Sequence, residues 1–201
     1  SFLGVVDRVA FVPFARADHD QYTARLEGAL APLGVSVLGL HTLANLAGAL
    51  AEVGAVFVGG GNSFRLLKAM QHHGLIDAIR DGVTAGRLRY MGASAGTNMA
   101  CPSLRTTNDM PIVQPASFAA TGLIPFQINP HYQDPDPAST HQGETREERI
   151  REFLDENDVA VLGVREGAWL RRSGDVLTLG GLTGARLFQR GQDPVEYQAG
   201  A

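Results

Sequence analysis

One segment, residues 89–100, sets the architecture expected for this chain: RYMGASAGTNMA. A short apolar run enters it, and small residues typical of a helix start follow. Between them, residues 92–96 have the Gly-x-Ser-x-Gly pattern of a nucleophile elbow, a tight turn that lifts a serine hydroxyl out of a sheet. Gly and Ser also fill many ordinary strand-to-helix turns, so the segment alone leaves the role of Ser94 open.

The alternation of strands and helices around this segment predicts an α/β fold. A continuous apolar run at residues 9–14 is typical of a strand buried on both faces, and residues 35–40 and 55–58 predict two further strands; helical patterns, one at 43–50, separate them. We therefore expect a doubly wound, mostly parallel sheet with helices on both faces. A Ser-Gly-Asp turn at residues 173–175 predicts a short C-terminal β hairpin.

Size and composition are those of one globular domain. The chain has 201 residues, 44% of them hydrophobic and 19% charged, and we expect a single domain over residues 1–201. The net charge of -4 argues against a nucleic-acid or anionic-membrane surface. No apolar stretch approaches the roughly 18 to 20 residues of a membrane span, and the first residues lack a signal-peptide pattern. The lone Cys101 excludes an internal disulfide and is typical of a reducing cytoplasm.

A run of three glycines, residues 59–61, lies between the strand at 55–58 and the next helix. The run is either a flexible turn or an amide-lined nest for an anion or a developing oxyanion. A dinucleotide fingerprint would need glycine at Phe64, and the Gly-Lys-Ser/Thr ending of a P-loop is missing. Ligands bind at the carboxyl ends of strands in such folds, so this loop and Ser94 could form one site.

Candidates for the other groups of serine hydrolysis follow later apolar segments. The strand predicted at residues 122–132 ends in Asn-Pro-His, and Pro130 helps to fix the direction of His131. A histidine base needs a carboxylate that orients it and stabilises its charged form. Sequence order offers two carboxylates, Asp109 in a polar, proline-bracketed loop and Glu166 after the late apolar strand.

Longer motifs carry a resemblance to a known family. Besides the elbow they are GGGNSF (59–64), RTTNDMPIV (105–113), PFQINPHY (125–132) and GETREERI (143–150). With these motifs, from about residue 9 to residue 187, the chain resembles peptidase E, the α-aspartyl dipeptidase family of serine peptidases.

The resemblance implies a class I glutamine amidotransferase-like fold and hydrolysis of dipeptides with an N-terminal aspartate (Asp-Xaa) through an acyl-enzyme at Ser94. It also implies a cytoplasmic location, no metal and no cofactor, and a small peptide as partner, with neither nucleic acid nor membrane. His131 becomes the catalytic histidine. Two assignments exist for the third triad member, Glu166 and Asp109. We favour Glu166, because a residue after a core strand is held more rigidly than one in a long loop; Asp109 would then shape the substrate pocket.

The remaining site predictions also follow from the resemblance. The oxyanion hole would combine the backbone amide of Ala95 with that of Gly60 or Gly61. A substrate aspartate calls for a guanidinium, which binds carboxylates in a bidentate way, and the candidates in order are Arg146 and Arg105. The oxygen acceptors available for the free α-amine are Asn62, Asp109 and Glu144.

Two other functions remain open. Cyanophycinase-like cleavage of an aspartyl-arginine polymer uses the same elbow, but the short chain and the loop at 106–111 favour the dipeptidase. A non-catalytic small-molecule binding protein on the same fold would need His131 out of hydrogen-bond reach of Ser94. The family usually has a further strand segment ahead of residues 9–14. Little of it is present here, so the sheet edge is either built differently or completed by the second subunit of a homodimer.

Overall fold

The computed structural model describes residues 3–4, 6–138, 140 and 142–200. The chain divides into two compact units. The N-terminal unit contains Ser1–Leu104 and Asp109–Ile124, and the C-terminal unit contains Arg105–Asn108 and Pro125–Ala201. The single domain expected over the whole chain stays a prediction. No helix in the described ranges is long and apolar enough to cross a membrane.

Four parallel strands form the sheet of the N-terminal unit. They are β1 (Arg8–Val12), β2 (Ser36–Gly39), β3 (Ala55–Val58) and β4 (Arg89–Gly92). The strand order is β2-β1-β3-β4, and every neighbouring pair is parallel. This is a doubly wound order, in which the chain changes direction across the sheet between β1 and β3. Ligands bind outside the carboxyl ends of the strands at such a point.

Helices cover both faces of this sheet, as predicted. They are α1 (His19–Leu30), α2 (Leu46–Ala49), α3 (Ser63–His72), α4 (Leu75–Thr84) and α5 (Ala95–Ala100). Alternate residues of β3 point to opposite faces. Val56 and Val58 pack in a core with Leu66 of α3, whereas Phe57 packs in a second core with Leu30 of α1.

The described residues of the C-terminal unit form a mixed sheet, a hairpin and one helix. Its elements are β5 (Gln127–Pro130), α6 (Arg146–Glu156), β6 (Val161–Val164), β7 (Ala168–Ser173), β8 (Val176–Gly181), β9 (Ala185–Phe188) and β10 (Val195–Tyr197). The sheet order is β10-β9-β6-β5, with β5 and β6 parallel and the other pairs antiparallel. The predicted hairpin is β7–β8, and Gly174 at φ +60° makes its turn.

Several elements are shorter than the apolar patterns predict. β1 ends before Pro13, which has no N–H to donate to a sheet. The helix expected at 43–50 is reduced to α2 followed by a 3-10 turn, Leu50–Glu52. The strand expected at 122–132 is only β5, because the backbone of Gly122 and Ile124 bonds to Cys101 and Ala100 in the N-terminal unit.

Candidate active site

Ser94 lies in a sharp turn between β4 and α5. Its φ of 54° and ψ of −110° fall outside the regions that L-residues prefer. Glycines two positions away on each side make the turn possible. A Cβ at Gly96 would lie 2.0 Å from the carbonyl oxygen of Val58, and one at Gly92 would lie 2.5 Å from that of Gly96. The Gly-x-Ser-x-Gly pattern is thus a steric requirement of this turn.

Tyr90, on β4, stabilises the turn at Ser94. Its hydroxyl donates a hydrogen bond of 2.5 Å to the carbonyl oxygen of Gly96. Burial of the phenol, with a smaller contribution from nearby Cys101, raises the pKa of Tyr90 well above its usual value, so the hydroxyl stays a proton donor. The backbone of Ala93 is also fixed, because its N–H donates to the oxygen of Val58 at 3.1 Å.

The glycine loop after β3 lies against Ser94. A Cβ added to Gly60 would lie 3.0 Å from the Ser94 Cβ, and one at Gly61 would lie 2.5 Å from the backbone oxygen of Ala15. Gly61 also has a φ of +140°, which L side chains rarely adopt. Gly61 therefore requires glycine, and Gly60 leaves little room for a side chain, so the loop packs closely within the N-terminal unit.

The predicted oxyanion donors differ in availability. The Gly60 N–H donates a hydrogen bond of 2.8 Å to the Tyr22 hydroxyl. Within the described part of the chain, no group accepts a hydrogen bond from the N–H of Gly61 or of Ala95. Of the two loop donors that the sequence leaves open, the geometry therefore favours Gly61. Ala95 begins α5, and its amide, like the others in a first helical turn, has no partner within the helix.

Asp109 and Asn62 tie the polar loop to the start of α3. The Asp109 carboxylate accepts hydrogen bonds from the backbone N–H and the hydroxyl of Ser63, at 2.7 and 2.6 Å. The Asn62 side chain caps α3 by accepting from the N–H of Arg65 at 3.0 Å, and it donates to the oxygen of Met110 at 2.8 Å. A carboxylate at a helix N-terminus is stabilised by the orphan amides and the helix dipole.

In the C-terminal unit, a polar network fixes the end of β5 just before His131. Asn108 donates to the carbonyl oxygen of Pro130 at 2.9 Å and accepts from the side chain of Asn129 at 2.8 Å. Asn129 also donates to the backbone oxygen of Thr106 at 2.9 Å. His131 itself has a φ of 55°. The network thus joins residues 105–108 to the end of β5.

His131 contacts one of the two candidate carboxylates directly. Its Nδ1 lies 2.5 Å from Oε2 of Glu166, and both residues follow the carboxyl ends of the parallel strands β5 and β6. The histidine side chain is 50% exposed and that of Glu166 82%, so the pair contributes little to stability. The pair instead selects the tautomer of the neutral imidazole: the carboxylate accepts a hydrogen bond from Nδ1–H, which leaves Nε2 as the acceptor.

Arg165, which precedes Glu166, forms ion pairs with two acidic residues. Its guanidinium makes a bidentate pair with Asp134, with two N–O distances of 2.7 Å, and also binds Glu196. The hydrogen bond from Arg165 lowers the pKa of the Asp134 carboxyl below its usual value. Sequence analysis missed this cluster, because the paired side chains come from distant segments.

Comparison with known proteins agrees with the motifs. The family model described as "Peptidase family S51" matches residues 1–180. The chain belongs to peptidase family S51. It is 64% identical over 200 residues to "Peptidase E" of Streptomyces coelicolor, covering 100% of this chain and 82% of the relative. It is also 50% identical over 184 residues to "Probable alpha-aspartyl dipeptidase" of Drosophila melanogaster, covering 92% and 77%.

A solved structure has the same fold. The "Putative Peptidase E Protein from Listeria monocytogenes EGD-e" has a TM-score of 0.68 at 24% identity, covering 88% of this chain and 87% of that one. The α/β fold and the family resemblance predicted from the sequence are both confirmed.

The two arginine candidates of this S51 chain lie at opposite ends of α6. Arg146 is the first residue of the helix, whereas Arg105 donates to the Asn157 side chain at its far end, at 3.3 Å. An eleven-residue helix is about 16 Å long. The first turn of α6 reaches Tyr132, which follows His131, through Glu147 at 3.5 Å. The first turn of α6 thus contacts the residue that follows His131, and Arg146 begins that turn. Glu144 pairs with Arg149 at 3.3 Å.

Proposed function

We propose that this S51 family member is a serine dipeptidase that hydrolyses Asp-Xaa dipeptides through an acyl-enzyme at Ser94. The observation that carries the proposal is the turn at Ser94, where the serine has a positive φ and the next amide, that of Ala95, donates to no group in the described part of the chain. A relative that is 50% identical and named for α-aspartyl dipeptidase activity supports the choice of substrate. The contact between His131 and Glu166 supports the assignment of the base and its orienting acid.

In the first half of the reaction, Ser94 Oγ attacks the peptide carbonyl carbon while His131 Nε2 removes the hydroxyl proton. Glu166 stabilises the imidazolium through Nδ1. The carbonyl oxygen becomes an oxyanion and accepts hydrogen bonds from the amides of Ala95 and Gly61. When the carbon–nitrogen bond breaks, His131 gives its proton to the leaving amine, and the aspartyl group remains as an ester on Ser94.

In the second half, water replaces the leaving group. His131 removes a proton from the water, and the water oxygen attacks the ester carbon. The second oxyanion accepts hydrogen bonds from the same two amides. Collapse of this intermediate releases aspartate and returns the proton to Ser94 Oγ. The same base thus serves both steps, and the exposure of His131 gives water access to it.

Substrate recognition is assigned to groups around these catalytic residues. Arg146 is our candidate for the aspartate side chain, since it begins the helix whose first turn reaches Tyr132. Glu144, Asn62 and Asp109 are the candidates for the α-amine. Because Asp109 and Asn62 already bond to α3 and the polar loop, their proposed contribution is to shape the pocket.

Location and assembly complete the proposal. We propose a cytoplasmic protein, because its one cysteine is a buried thiol outside any disulfide, of the kind kept reduced there. We also propose a homodimer, which light scattering of the purified protein would test.

The decisive experiment compares Asp-Leu hydrolysis by the wild type and by Ser94→Ala. Loss of turnover with an unchanged melting temperature is the expected result, because the variant lacks the nucleophile but keeps a small residue at the turn. Undiminished turnover would refute the proposal. Aspartyl-arginine polymer serves as the comparison substrate, and faster release from the polymer than from Asp-Leu would favour the cyanophycinase-like alternative.

A further inference from the structure

We propose that Tyr22 is a positioning residue for the oxyanion site: its hydroxyl holds the Gly60 N–H and thereby presents the Gly61 N–H beside Ser94. The inference rests on the proposed function and adds to it a residue from α1. The decisive contact is the hydrogen bond of 2.8 Å from the Gly60 N–H to the Tyr22 hydroxyl oxygen.

The Tyr22 ring is held on two sides. It makes an edge contact with Phe11 of β1, with ring centroids 4.9 Å apart and an interplanar angle of 82°. The Arg16 guanidinium lies 4.6 Å from the ring centroid on another side. Such contacts hold an aromatic ring in place. The hydroxyl is therefore a fixed point rather than a mobile surface group.

The glycine loop is confined between Tyr22 and Ser94. A Cβ at Gly59 would lie 2.8 Å from the Tyr22 hydroxyl oxygen, and one at Gly60 would lie 3.0 Å from the Ser94 Cβ. These close approaches explain why the loop needs glycines. Glycine, however, also leaves the backbone free to rotate. A run of three glycines thus needs outside contacts to hold one conformation. The Gly59 N–H donates to the backbone oxygen of Val12 at 3.1 Å, and Tyr22 holds the N–H of Gly60.

The contact also decides which amide is available for catalysis. The Gly60 N–H is occupied by Tyr22, whereas the Gly61 N–H has no acceptor within the described part of the chain. Without the hydroxyl, the Gly60 N–H would lose its partner, and the adjoining Gly60–Gly61 peptide would be free to turn. The Gly61 N–H would then point at the oxyanion position for only part of the time, and an oxyanion donor is effective only when it is preorganised.

The test is Tyr22→Phe, which removes one oxygen and keeps the ring. The matched control is Tyr197→Phe on β10, where the tyrosine is 41% exposed. Three quantities are measured for each protein: kcat and KM for Asp-Leu, the melting temperature, and the inhibition constant of an α-amino aldehyde with the aspartate side chain. Addition of Ser94 to that aldehyde gives a hemiacetal whose oxygen occupies the oxyanion site.

For Tyr22→Phe we expect kcat to fall about ten-fold, the effect of roughly one neutral hydrogen bond. KM should stay within about two-fold, because the ground-state substrate does not use the oxyanion donors. The aldehyde should bind about ten-fold more weakly, in step with kcat. Tyr197→Phe should match the wild type in all three.

Two results would overturn the inference. One is unchanged kcat and aldehyde affinity in Tyr22→Phe; the other is a fall in kcat that accompanies unfolding while aldehyde affinity per folded molecule stays the same. Either can occur while Ser94→Ala is inactive, which would leave the proposed function intact. Turnover that survives in Ser94→Ala would instead refute the proposed function, and this inference with it.

Discussion

Ser94 and His131 share a positive φ angle, which no other non-glycine residue in the described part of the chain has. Their φ angles are 54° and 55°. Such angles cost about 1–3 kcal/mol at a non-glycine residue and persist only where the surroundings enforce them. Both residues come just after a parallel strand, Ser94 after β4 and His131 after β5. Each of the two units therefore has one strained residue directly after a parallel strand.

The orienting acid can be identified with two isosteric substitutions. Glu166→Gln should lower kcat by about 10²- to 10⁴-fold, the range of general acid–base contributions, because the amide cannot stabilise the imidazolium. Asp109→Asn should instead lower the melting temperature, because it weakens the contact with the N-terminus of α3, and should reduce kcat less. Steady-state kinetics at one pH decides the matter. A larger kcat loss for Asp109→Asn would contradict the assignment.

Gly96→Ala should disrupt the turn at Ser94. The new Cβ would lie 2.0 Å from the backbone oxygen of Val58, which no side-chain rotation can relieve. Overpacking of this kind costs typically about 1–3 kcal/mol, and occasionally more. We expect a lower free energy of unfolding and little Asp-Leu turnover.

The matched control is Gly28→Ala in α1, where a Cβ meets no atom within 4 Å. That change should raise the free energy of unfolding by about 0.4–1 kcal/mol. Chemical denaturation measures both variants, and equal stability of the two would show that the glycine at 96 is not a steric requirement.

Asn108→Ala should lower kcat more than its effect on stability explains. The substitution removes the hydrogen bonds to the oxygen of Pro130 and from Asn129, so the backbone that delivers His131 loses its support. Asn45→Ala, which removes the cap of α2, is the control with a stability cost of about 1 kcal/mol. If both variants keep the wild-type kcat at a temperature where both are folded, the network has no catalytic role.

The Asp134–Arg165 pair predicts how stability depends on pH. Arg165 lowers the pKa of Asp134 in the folded protein, so the pair stabilises the fold when the carboxylate is ionised. This contribution should be constant above about pH 5 and disappear as the pH falls below about 4, where the carboxylate takes up a proton. The pair is partly exposed, so the contribution should be at most about 1 kcal/mol.

Melting temperatures of the wild type and Asp134→Asn from pH 3 to pH 8 test this. The difference between them should shrink only at the acid end of the series. Asp175→Asn, in the exposed hairpin turn, controls for the loss of a negative charge. A difference that grows as the pH falls would contradict the assigned role of Arg165.

Local patterns were enough to predict most of the N-terminal unit. β3 occupies the predicted residues 55–58, and the turn at Ser94 falls where Gly-x-Ser-x-Gly places it. Apolar runs, glycine boundaries and capping residues act over a few positions, so the sequence carries them directly. The same logic anticipated that His131 and Glu166 follow strand ends, and neighbouring parallel strands bring such residues to one edge of a sheet.

The hydrogen-bond partners of residues that are distant in sequence could not be predicted in this way. Tyr22 binds Gly60 across 38 positions and Asp109 binds Ser63 across 46, while Arg165 gathers acids from two other segments. The short strands β9 and β10 have no strong apolar pattern of their own, yet β9 pairs with β6 and β10 pairs with β9. A hydrogen bond depends on distances of a few tenths of an ångström between side chains that only packing brings together. No local sequence pattern records those distances, so the selection of Gly61 over Gly60 had to come from the folded chain.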